Sequence, residues 1–232
     1  LEVVHVDAGA HDLPKEELPG VVDEFADGVA ADLADRPVDV LHANYWLSGV
    51  AAHRLKHQLD LPLVATFHTL ARVKADAGDA EPEARERAEV EVIGCCDAIC
   101  ASNPVEADQL TSFYGAAPER IELVPPGVDH AFFSPGERSG ARAALGLDDL
   151  PTALFVGRIQ PLKRLPIAVR ALAAASDERS RLVVVGGPSG TDGAAELEKV
   201  HLLVDELGLH DRVEFVEPQP HHLLSTYYRA AD

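Results

Sequence analysis

Short apolar runs alternate with amphipathic stretches along almost the whole sequence, and this alternation limits the folds open to the chain more than any other feature. The apolar runs have the length and composition of buried strands, and the stretches between them repeat apolar residues at helical spacing. Strands that follow one another through helices lie parallel, in a sheet whose two faces are covered. The sequence therefore predicts an α/β fold.

The alternation forms two series, separated by a stretch at 130–140 that is rich in Phe, Pro, Gly and charge and is predicted as a linker. We therefore expect two doubly wound domains, residues 1–133 and 134–232, facing each other across a cleft. The predicted strands span residues 1–6, 38–42, 63–67, 98–101, 121–124, 152–155, 182–185 and 213–216.

Local signals set the ends of several helices. Asn103, Pro104 and Glu106 form a helix start, with an N-cap, Pro at the first position and Glu at the third. Ser48 is predicted to cap a helix over 50–58, and the polar residues 74–81 are predicted as a loop. The other helices are predicted at 18–33, 82–94, 141–145, 165–172, 194–207 and 221–231.

The charge and hydropathy of the chain exclude several classes of protein. A formal net charge of −19 argues against a general nucleic-acid surface. No apolar run is as long as a membrane span, and the N-terminus has no basic-then-apolar signal pattern, so we expect a cytoplasmic protein. The chain contains no Met and begins with Leu, which indicates that the start of the gene product is absent.

The three cysteines, Cys95, Cys96 and Cys100, are clustered and odd in number. The sequence places no second pair and no His at metal-site spacing from them. They are therefore predicted as buried free thiols, with no redox or metal role.

Polar and cationic residues of the first domain gather where strands are predicted to end. Each has a plainer interpretation alone: an aromatic core for Tyr45, a buried and satisfied imidazole for His68, and solvation for Lys15 and Arg85. Because the carboxyl ends of parallel strands share one sheet edge, the set fits an anionic polyol. Its members are Lys15, Asn44, Tyr45, Trp46, His68, Thr69, Lys74 and Arg85.

The second domain presents two cations and a glycine-rich turn at the corresponding positions. Arg158 and Lys163 follow the strand at 152–155, and Gly-Gly-Pro-Ser-Gly at 186–190 follows the next strand. A guanidinium and an ammonium close together suit a departing diphosphate, and a glycine-rich turn before a helix favours an anion. The alternative is a solvated basic turn. The turn is neither a Walker loop nor a dinucleotide fingerprint.

Five motifs, in order over nearly the whole chain, resemble the retaining GT-B glycosyltransferases of family four. Within the family the chain looks most like the D-inositol-3-phosphate glycosyltransferases of mycothiol synthesis, and next like the sucrose-phosphate synthases. The motifs are Tyr-Trp-Leu-Ser-Gly at 45–49, Phe-His-Thr-Leu-Ala-Arg-Val-Lys at 67–74, Pro-Pro-Gly-Val-Asp at 125–129, Val-Gly-Arg-Ile-Gln-Pro-Leu-Lys at 156–163 and the turn at 186–190.

The resemblance implies a role for each matching residue. Arg158, Lys163 and Gly187 would bind the donor diphosphate, and Arg158 and Lys163 would act in catalysis with His68, beside the donor sugar. No catalytic divalent metal or other cofactor is implied. The residues implied to hold a phosphorylated acceptor are Lys15, Tyr45, Thr69 and Arg85.

The chain departs from the family pattern at two positions and at both ends. Asn44 stands where close relatives usually have His, and Arg164 stands where Gly commonly follows the lysine. The family's first strand with its glycine-rich loop, and its C-terminal loop with two glutamates, have no counterpart here. Both domains are therefore expected to be truncated, and these 232 residues alone are expected to be inactive or nearly so.

The expected activity is transfer of a sugar from a nucleotide-sugar, with UDP-sugars preferred, to a phosphorylated polyol such as inositol phosphate, with retention of anomeric configuration. Two alternatives stay open: a sucrose-phosphate-synthase-like transfer to a hexose phosphate, and a non-catalytic sugar-phosphate-binding protein. The expected partners are these small molecules, and a homodimer is left open.

Overall fold

The computed structural model describes residues 2–79 and 81–232, which divide into two compact units, Leu1–Gly127 and Val128–Asp232. Leu1 and Ala80, which fall in the predicted first strand and the predicted 74–81 loop, lie outside the described residues. The division between the units falls after Gly127, whereas the predicted domains meet at 133/134. Each unit is an α/β structure built on a parallel sheet, as predicted.

The first unit contains a parallel sheet in which strand order follows chain order. All of these strands therefore end at the same edge, which places the connections after them side by side. The strands are β1 (Leu41–Asn44), β2 (Leu63–Thr66), β3 (Ala98–Ala101) and β4 (Ile121–Leu123). The helices are α1 (Val22–Asp35), α2 (Trp46–Leu59), α3 (Ala71–Asp76), α4 (Glu83–Cys95) and α5 (Pro104–Tyr114), with 3₁₀ turns at Leu18–Val21 and Pro118–Arg120.

The second unit repeats this plan, also with its sheet in chain order. Its strands are β5 (Thr152–Val156), β6 (Arg181–Val185) and β7 (Val213–Val216). Its helices are α6 (Arg138–Leu145), α7 (Leu165–Ala173), α8 (Gly193–Glu206) and α9 (His221–Ala230), with a 3₁₀ turn at Pro161–Lys163.

Each unit has its own apolar core. In the first unit, Leu63, Phe67, Ile93, Ile99 and Leu110 are among the buried side chains between the sheet and its helices. The core of the second unit is formed by β6 with α7 and α8, and includes Leu165, Val169, Val184, Val200 and Leu203. These residues come from the predicted strands and helices, because period-2 and period-3.6 patterns mark the faces that must be buried.

Four local predictions are wrong, and the first concerns the cysteines, because Cys95 and Cys100 are half-buried and not buried as predicted. Residues 2–6 are not a strand; Val3 is 78% exposed, and this backbone pairs with no strand of the described chain. Ser48 lies inside α2, which begins at Trp46, because the Gly49 N–H already donates to the Tyr45 carbonyl. Part of the predicted 74–81 loop is helical, since α3 continues to Asp76.

Candidate functional site

Polar residues from the ends of β1, β2 and β3 meet at one edge of the first sheet. The register pairs Asn44 with Thr66, so the residues that follow these strands are neighbours. The Tyr45 N–H donates to the Thr66 carbonyl at 2.7 Å, and the His68 Nε2 lies 3.4 Å from the Asn44 Oδ1. His68 and Thr69 are both exposed at this edge.

Arg85, near the start of α4, joins two of these connections. Its guanidinium donates to both the carbonyl and the Oγ1 of Thr69, each at 3.0 Å. Its Cζ lies 5.2 Å from the centre of the Tyr45 ring, in a cation–π contact. Arg85, Thr69 and Tyr45, three of the four residues that the family resemblance assigns to the acceptor, therefore lie together.

Two glutamates neutralise Arg85. The side chains of Arg85 and Glu89 are 3% and 0% exposed, and they pair one helical turn apart at 2.8 Å. Glu81 lies 3.1 Å from the same guanidinium. Burial works to lower the pKa of Arg85, but the hydrogen bond and charge of Glu89 outweigh it, so this pKa is raised. Arg85 thus stays charged and fixes the loop.

A cavity of about 560 Å³ opens beside His68 and Thr69. Lys74 lines it, and hydrogen bonding to Glu81 raises the pKa of the Lys74 ammonium. Ser102 and Asn103, which follow β3, also line it. The cavity therefore offers a cation, hydroxyls, an amide and an imidazole, the donor types that a phosphorylated polyol requires.

Sequence reasoning missed Ser102 and did not assign Asn103 to the site. Asn103 is the N-cap of α5, as predicted, and its Oδ1 accepts from the Glu106 N–H at 3.0 Å. The buried Glu106 carboxylate in turn accepts from Ser102, at 2.7 Å from its N–H. Their position in the sequence could have identified them, because both residues follow a strand that ends at the same sheet edge as the strands before Tyr45 and His68.

Among the described residues, Lys15 and Trp46 take no part in the polar contacts of this cluster, although the Trp46 ring lies edge-on to the Tyr45 ring, with 6.4 Å between centroids. Lys15 lies exposed in the turn before the Leu18–Val21 3₁₀ turn, and no contact among the described residues joins it to Arg85 or Thr69. Trp46 is half-buried and packs on the first core.

In the second unit, two connections lie in close contact where β5 and β6 end. An ideal Cβ built on Gly186 would lie 1.9 Å from the Gly157 carbonyl oxygen, so only glycine fits there. The Ile159 N–H donates to the Gly187 carbonyl at 2.9 Å, and the Gln160 Nε2 donates to the Ser189 carbonyl at 3.0 Å. These bonds hold both connections against a cavity of about 270 Å³ that Arg158 also lines.

Arg158 and Lys163 are exposed cations without a partner in the described part of the chain. Neither side chain makes an ion pair or a hydrogen bond with any described residue, and the same holds for Arg164. Arg85 and Lys74 of the first unit, by contrast, are both paired with carboxylates. In a chain with a net charge of −19, these unpaired cations after one strand make the surface locally positive.

Backbone strain falls on the same connections. Of the four non-glycine residues with positive φ in the described ranges, Tyr45 (75°), His68 (61°) and Arg164 (56°) follow strands at these sites, and Asp60 ends α2. Such conformations cost of order 1–3 kcal/mol and are concentrated at functional sites.

Within residues 2–79 and 81–232, none of the helices combines the length and the apolar character needed to cross a bilayer.

Two family models match the chain in succession. Glycosyltransferase Family 4 matches residues 4–132, and Glycosyl transferases group 1 matches residues 138–232.

Relatives with curated names are similar over the whole chain. The D-inositol 3-phosphate glycosyltransferase of Actinosynnema mirum is 45% identical over 100% of this chain and 59% of its own length. A second such enzyme, from Catenulispora acidiphila, is 42% identical over 99% of this chain and 57% of its own length. The chain thus spans less than two thirds of these relatives.

Solved structures also match most of this chain and about half of their own length. Sucrose-phosphate synthase from Thermosynechococcus elongatus matches with a TM-score of 0.83 and 31% identity, over 94% of this chain and 55% of that one. Anabaena HepE in complex with UDP matches with a TM-score of 0.76 and 19% identity, over 90% of this chain and 55% of that one. Both units therefore have the α/β architecture of GT-B glycosyltransferases.

Proposed function

The chain belongs to Glycosyltransferase Family 4, and from that premise we propose that it carries the diphosphate-binding and acceptor-binding residues of a retaining glycosyltransferase. The donor is a nucleotide-sugar, with UDP-sugars preferred, and the acceptor is a phosphorylated polyol such as inositol phosphate. The observation that carries the proposal is the unpaired, exposed pair Arg158 and Lys163 beside the Gly157–Gly186 contact.

The donor diphosphate would bind between Arg158, Lys163 and the backbone at Gly187. Charge grows on the leaving diphosphate as the glycosidic bond breaks, and prearranged cations stabilise that charge without reorganising. These two side chains would fill the role that a divalent metal has in other transferases. The UDP bound to Anabaena HepE supports a nucleotide with a uracil base.

The acceptor would bind at the edge formed by Tyr45, Thr69 and Arg85, with Lys15 as a further phosphate contact. Because Arg85 is buried and paired, its role here is to position the Thr69 hydroxyl and the Tyr45 ring. Lys74, in the adjoining cavity, is the more accessible cation of the first unit's site. His68 would orient the reacting centre from its exposed position beside Asn44.

The names of the curated relatives support inositol phosphate as the acceptor. The second candidate acceptor is a hexose phosphate, which the likeness to sucrose-phosphate synthase favours. Both acceptors present a phosphate and vicinal hydroxyls, so the same donor set serves either one. The non-catalytic alternative predicts saturable binding of a sugar phosphate without consumption of any nucleotide-sugar.

The test follows nucleotide release by the protein as its gene encodes it. UDP- and GDP-sugars are each incubated with inositol phosphate, fructose phosphate or glucose phosphate. We expect release with a UDP-sugar that depends on inositol phosphate. Release with a hexose phosphate alone would select the second candidate. Tight nucleotide binding without release would indicate a different class of acceptor or a binding protein.

Arg158→Ala and Lys163→Ala test the diphosphate role in the same assay. We expect each to lower kcat by roughly 10²–10³-fold, the loss seen when a charge-stabilising donor is removed. Arg170→Ala is the matched control, because Arg170 is an exposed cation further along α7. Turnover that both substitutions leave unchanged would refute the role.

A further inference from the structure

Two histidines of α2 and one cysteine of α4 meet away from the glycosyltransferase site. His53 and His57 lie one helical turn apart on the same face of α2, and Cys95 is the last residue of α4. The His57 Nε2 lies 3.2 Å from the His53 Nε2 and 3.2 Å from the Cys95 Sγ. All three ligand atoms lie within 4.8 Å of one another.

Hydrogen bonding alone does not account for this arrangement. A neutral imidazole nitrogen either carries one hydrogen or offers one lone pair, so it makes one good hydrogen bond. The His57 Nε2 has two close partners, and one of them is another imidazole nitrogen. Three atoms that can each offer a lone pair, gathered within 4.8 Å of one another, are instead a set of ligands that suits a metal ion.

The distances fit a tetrahedral ion. With metal–nitrogen bonds of about 2.0–2.1 Å and a metal–sulfur bond of about 2.3 Å, two nitrogens lie about 3.3 Å apart and a nitrogen and a sulfur about 3.6 Å apart. Two edges of the trio, at 3.2 Å each, are already close to these values. The third edge, between the His53 nitrogen and the Cys95 Sγ, is within 4.8 Å, so binding an ion would require these half-buried side chains to rotate toward each other.

The packing of α2 on α4 makes the trio possible. Gly49, one turn before His53, has no side chain, and a Cβ there would lie 3.2 Å from the Val92 Cγ1 on α4. The helices therefore approach closely along the face that also carries His53, His57 and Cys95. The same helices carry Tyr45 and Arg85 near their first residues, and Tyr45 is about 18 Å from His57 along α2.

We propose that His53, His57 and Cys95 form a site for a borderline-soft divalent metal ion, of the Zn²⁺ class, that ties α2 to α4. Imidazole and thiolate are the ligands this class prefers, and a His pair at i and i+4 on a helix is a recurrent way to present two of them. The fourth position is left for water or for the carboxylate of Glu91, one turn before Cys95 on α4. The site is independent of the proposed glycosyl transfer.

Geometry also selects Cys95 over its neighbour as the sulfur ligand. Cys95 is half-buried and its Sγ lies 3.2 Å from the His57 Nε2. Cys96 is buried in the core, with its Sγ 3.6 Å from the Ile93 carbonyl oxygen.

Titration of the metal-stripped chain with Co²⁺ under a phosphine reductant tests the proposal, with Zn²⁺ as competitor. We expect one equivalent to bind with the visible bands of tetrahedral Co²⁺ and a thiolate-to-cobalt charge-transfer band, both displaced by Zn²⁺. Cys95→Ser should abolish the charge-transfer band. His53→Ala and His57→Ala should each weaken binding by about 100-fold or more, since losing even a partner of a ligand costs 10–100-fold.

Cys100→Ser and His201→Ala are the matched controls, because Cys100 is also a half-buried free thiol and His201 also lies on a helix. Both should bind Co²⁺ like the unchanged chain. Far-ultraviolet circular dichroism of each metal-free variant checks that it is folded, and Zn²⁺ should raise the Tm of the unchanged chain but not of Cys95→Ser. Co²⁺ binding without the charge-transfer band would overturn the proposal. So would binding of several Co²⁺ ions equally well by all folded variants, because that would be adventitious binding.

Discussion

Arg164 has a left-handed backbone conformation, with φ of 56°, at the turn from Lys163 into α7. This conformation costs a residue with a Cβ about 1–2 kcal/mol, whereas glycine adopts it freely. The family pattern commonly has Gly at this position, and the backbone angle supplies the physical reason.

Replacing Arg164 tests that reason. Because glycine removes the strain but loses more chain entropy on folding, we expect Arg164→Gly to raise the free energy of unfolding by about 0.5–1 kcal/mol. Arg164→Val should lower it by at least about 1 kcal/mol, since a β-branched residue fits this region poorly. Urea denaturation measures both. A glycine variant less stable than the valine variant would contradict this explanation.

Gly186 is constrained by space as well as by its φ of 149°. The carbonyl oxygen of Gly157 occupies the place of a side chain, so we expect Gly186→Ala to lower the free energy of unfolding by roughly 2–5 kcal/mol, from strain and overpacking together. Gly140→Ala is the control, because Gly140 lies inside α6 with no neighbour near an added Cβ. Alanine there should stabilise the chain by up to about 1 kcal/mol. If Gly186→Ala and Gly140→Ala changed the Tm equally, the close contact between Gly186 and the Gly157 carbonyl oxygen would not be what constrains this position.

The role of Arg85 could be foreseen from its sequence only in part. Its position at the start of a helix after a loop indicated the site edge, and the structure places it against Tyr45 and Thr69. Its burial and its pairing with Glu89 depend on how α3, α4 and α5 pack, which no local pattern contains. The same limit concealed the histidines beside Cys95, because α2 and α4 are brought together only by the fold.

At the scale of elements, Glu89 links α3, α4 and α5. Its carboxylate accepts from the Ala71 N–H at 2.8 Å, from the Arg85 Nε at 2.8 Å and from the Tyr114 hydroxyl at 2.5 Å. Burial and the Glu89 carboxylate together raise the pKa of Tyr114 well above its usual range, so its hydroxyl keeps the proton that it donates.

Glu89→Ala should therefore destabilise the chain strongly. Removal of one member of a buried ion pair costs about 3–5 kcal/mol, because Arg85 stays buried with less compensation. Glu83→Ala is the control on the same helix: Glu83 pairs with Arg87 one turn away, but their side chains are 88% and 68% exposed. Its loss should change the free energy of unfolding by less than about 0.5 kcal/mol in urea titrations. If Glu89→Ala and Glu83→Ala lowered the free energy of unfolding by similar amounts, burial of the Arg85–Glu89 pair would not contribute to stability.

Elements with a buried apolar pattern were predicted well, and β3 has the predicted bounds, 98–101. Residues 2–6 show why the pattern can fail. Alternation of apolar residues predicts that a segment fits a sheet, but a strand also needs a neighbour for its N–H and C=O groups. Val6 instead packs beside Gly28 of α1.

The predicted start of α2 is also wrong, because the chain turns directly from β1 into the helix at Tyr45.

At the scale of the whole molecule, stability should decline in acid. The pKa is lowered at Glu81, Asp97, Asp177 and Asp232 by cationic or N–H partners. A carboxyl whose folded-state pKa is depressed contributes stability above its unfolded-state pKa of about 4, and this contribution is lost as pH falls through the folded-state value. Both units contain such groups, so we expect the Tm of each to fall below about pH 4.

Asp97→Asn gives the control for this prediction. Hydrogen bonding to Lys56, and then to the Leu63 N–H, depresses the pKa of Asp97. Because Asp97 is half exposed, the expected loss at pH 7 is only about 0.5–1 kcal/mol. The two proteins should converge in stability as the pH falls through the folded-state pKa of Asp97. A gap that persists or widens in acid would show that the ionised carboxylate is not what stabilises the chain.

The contact between Gly157 and Gly186 has a consequence for the entropy of ligand recognition. Loops that close on a ligand lose conformational freedom at the moment of binding, which reduces affinity. Here the connections after β5 and β6 are already joined by backbone hydrogen bonds, so their freedom is lost when the chain folds. Hydrogen exchange at the Ile159 amide should therefore be slow in the ligand-free protein. A diphosphate would bind to loops that are already rigid, so the charges of the site would determine its affinity.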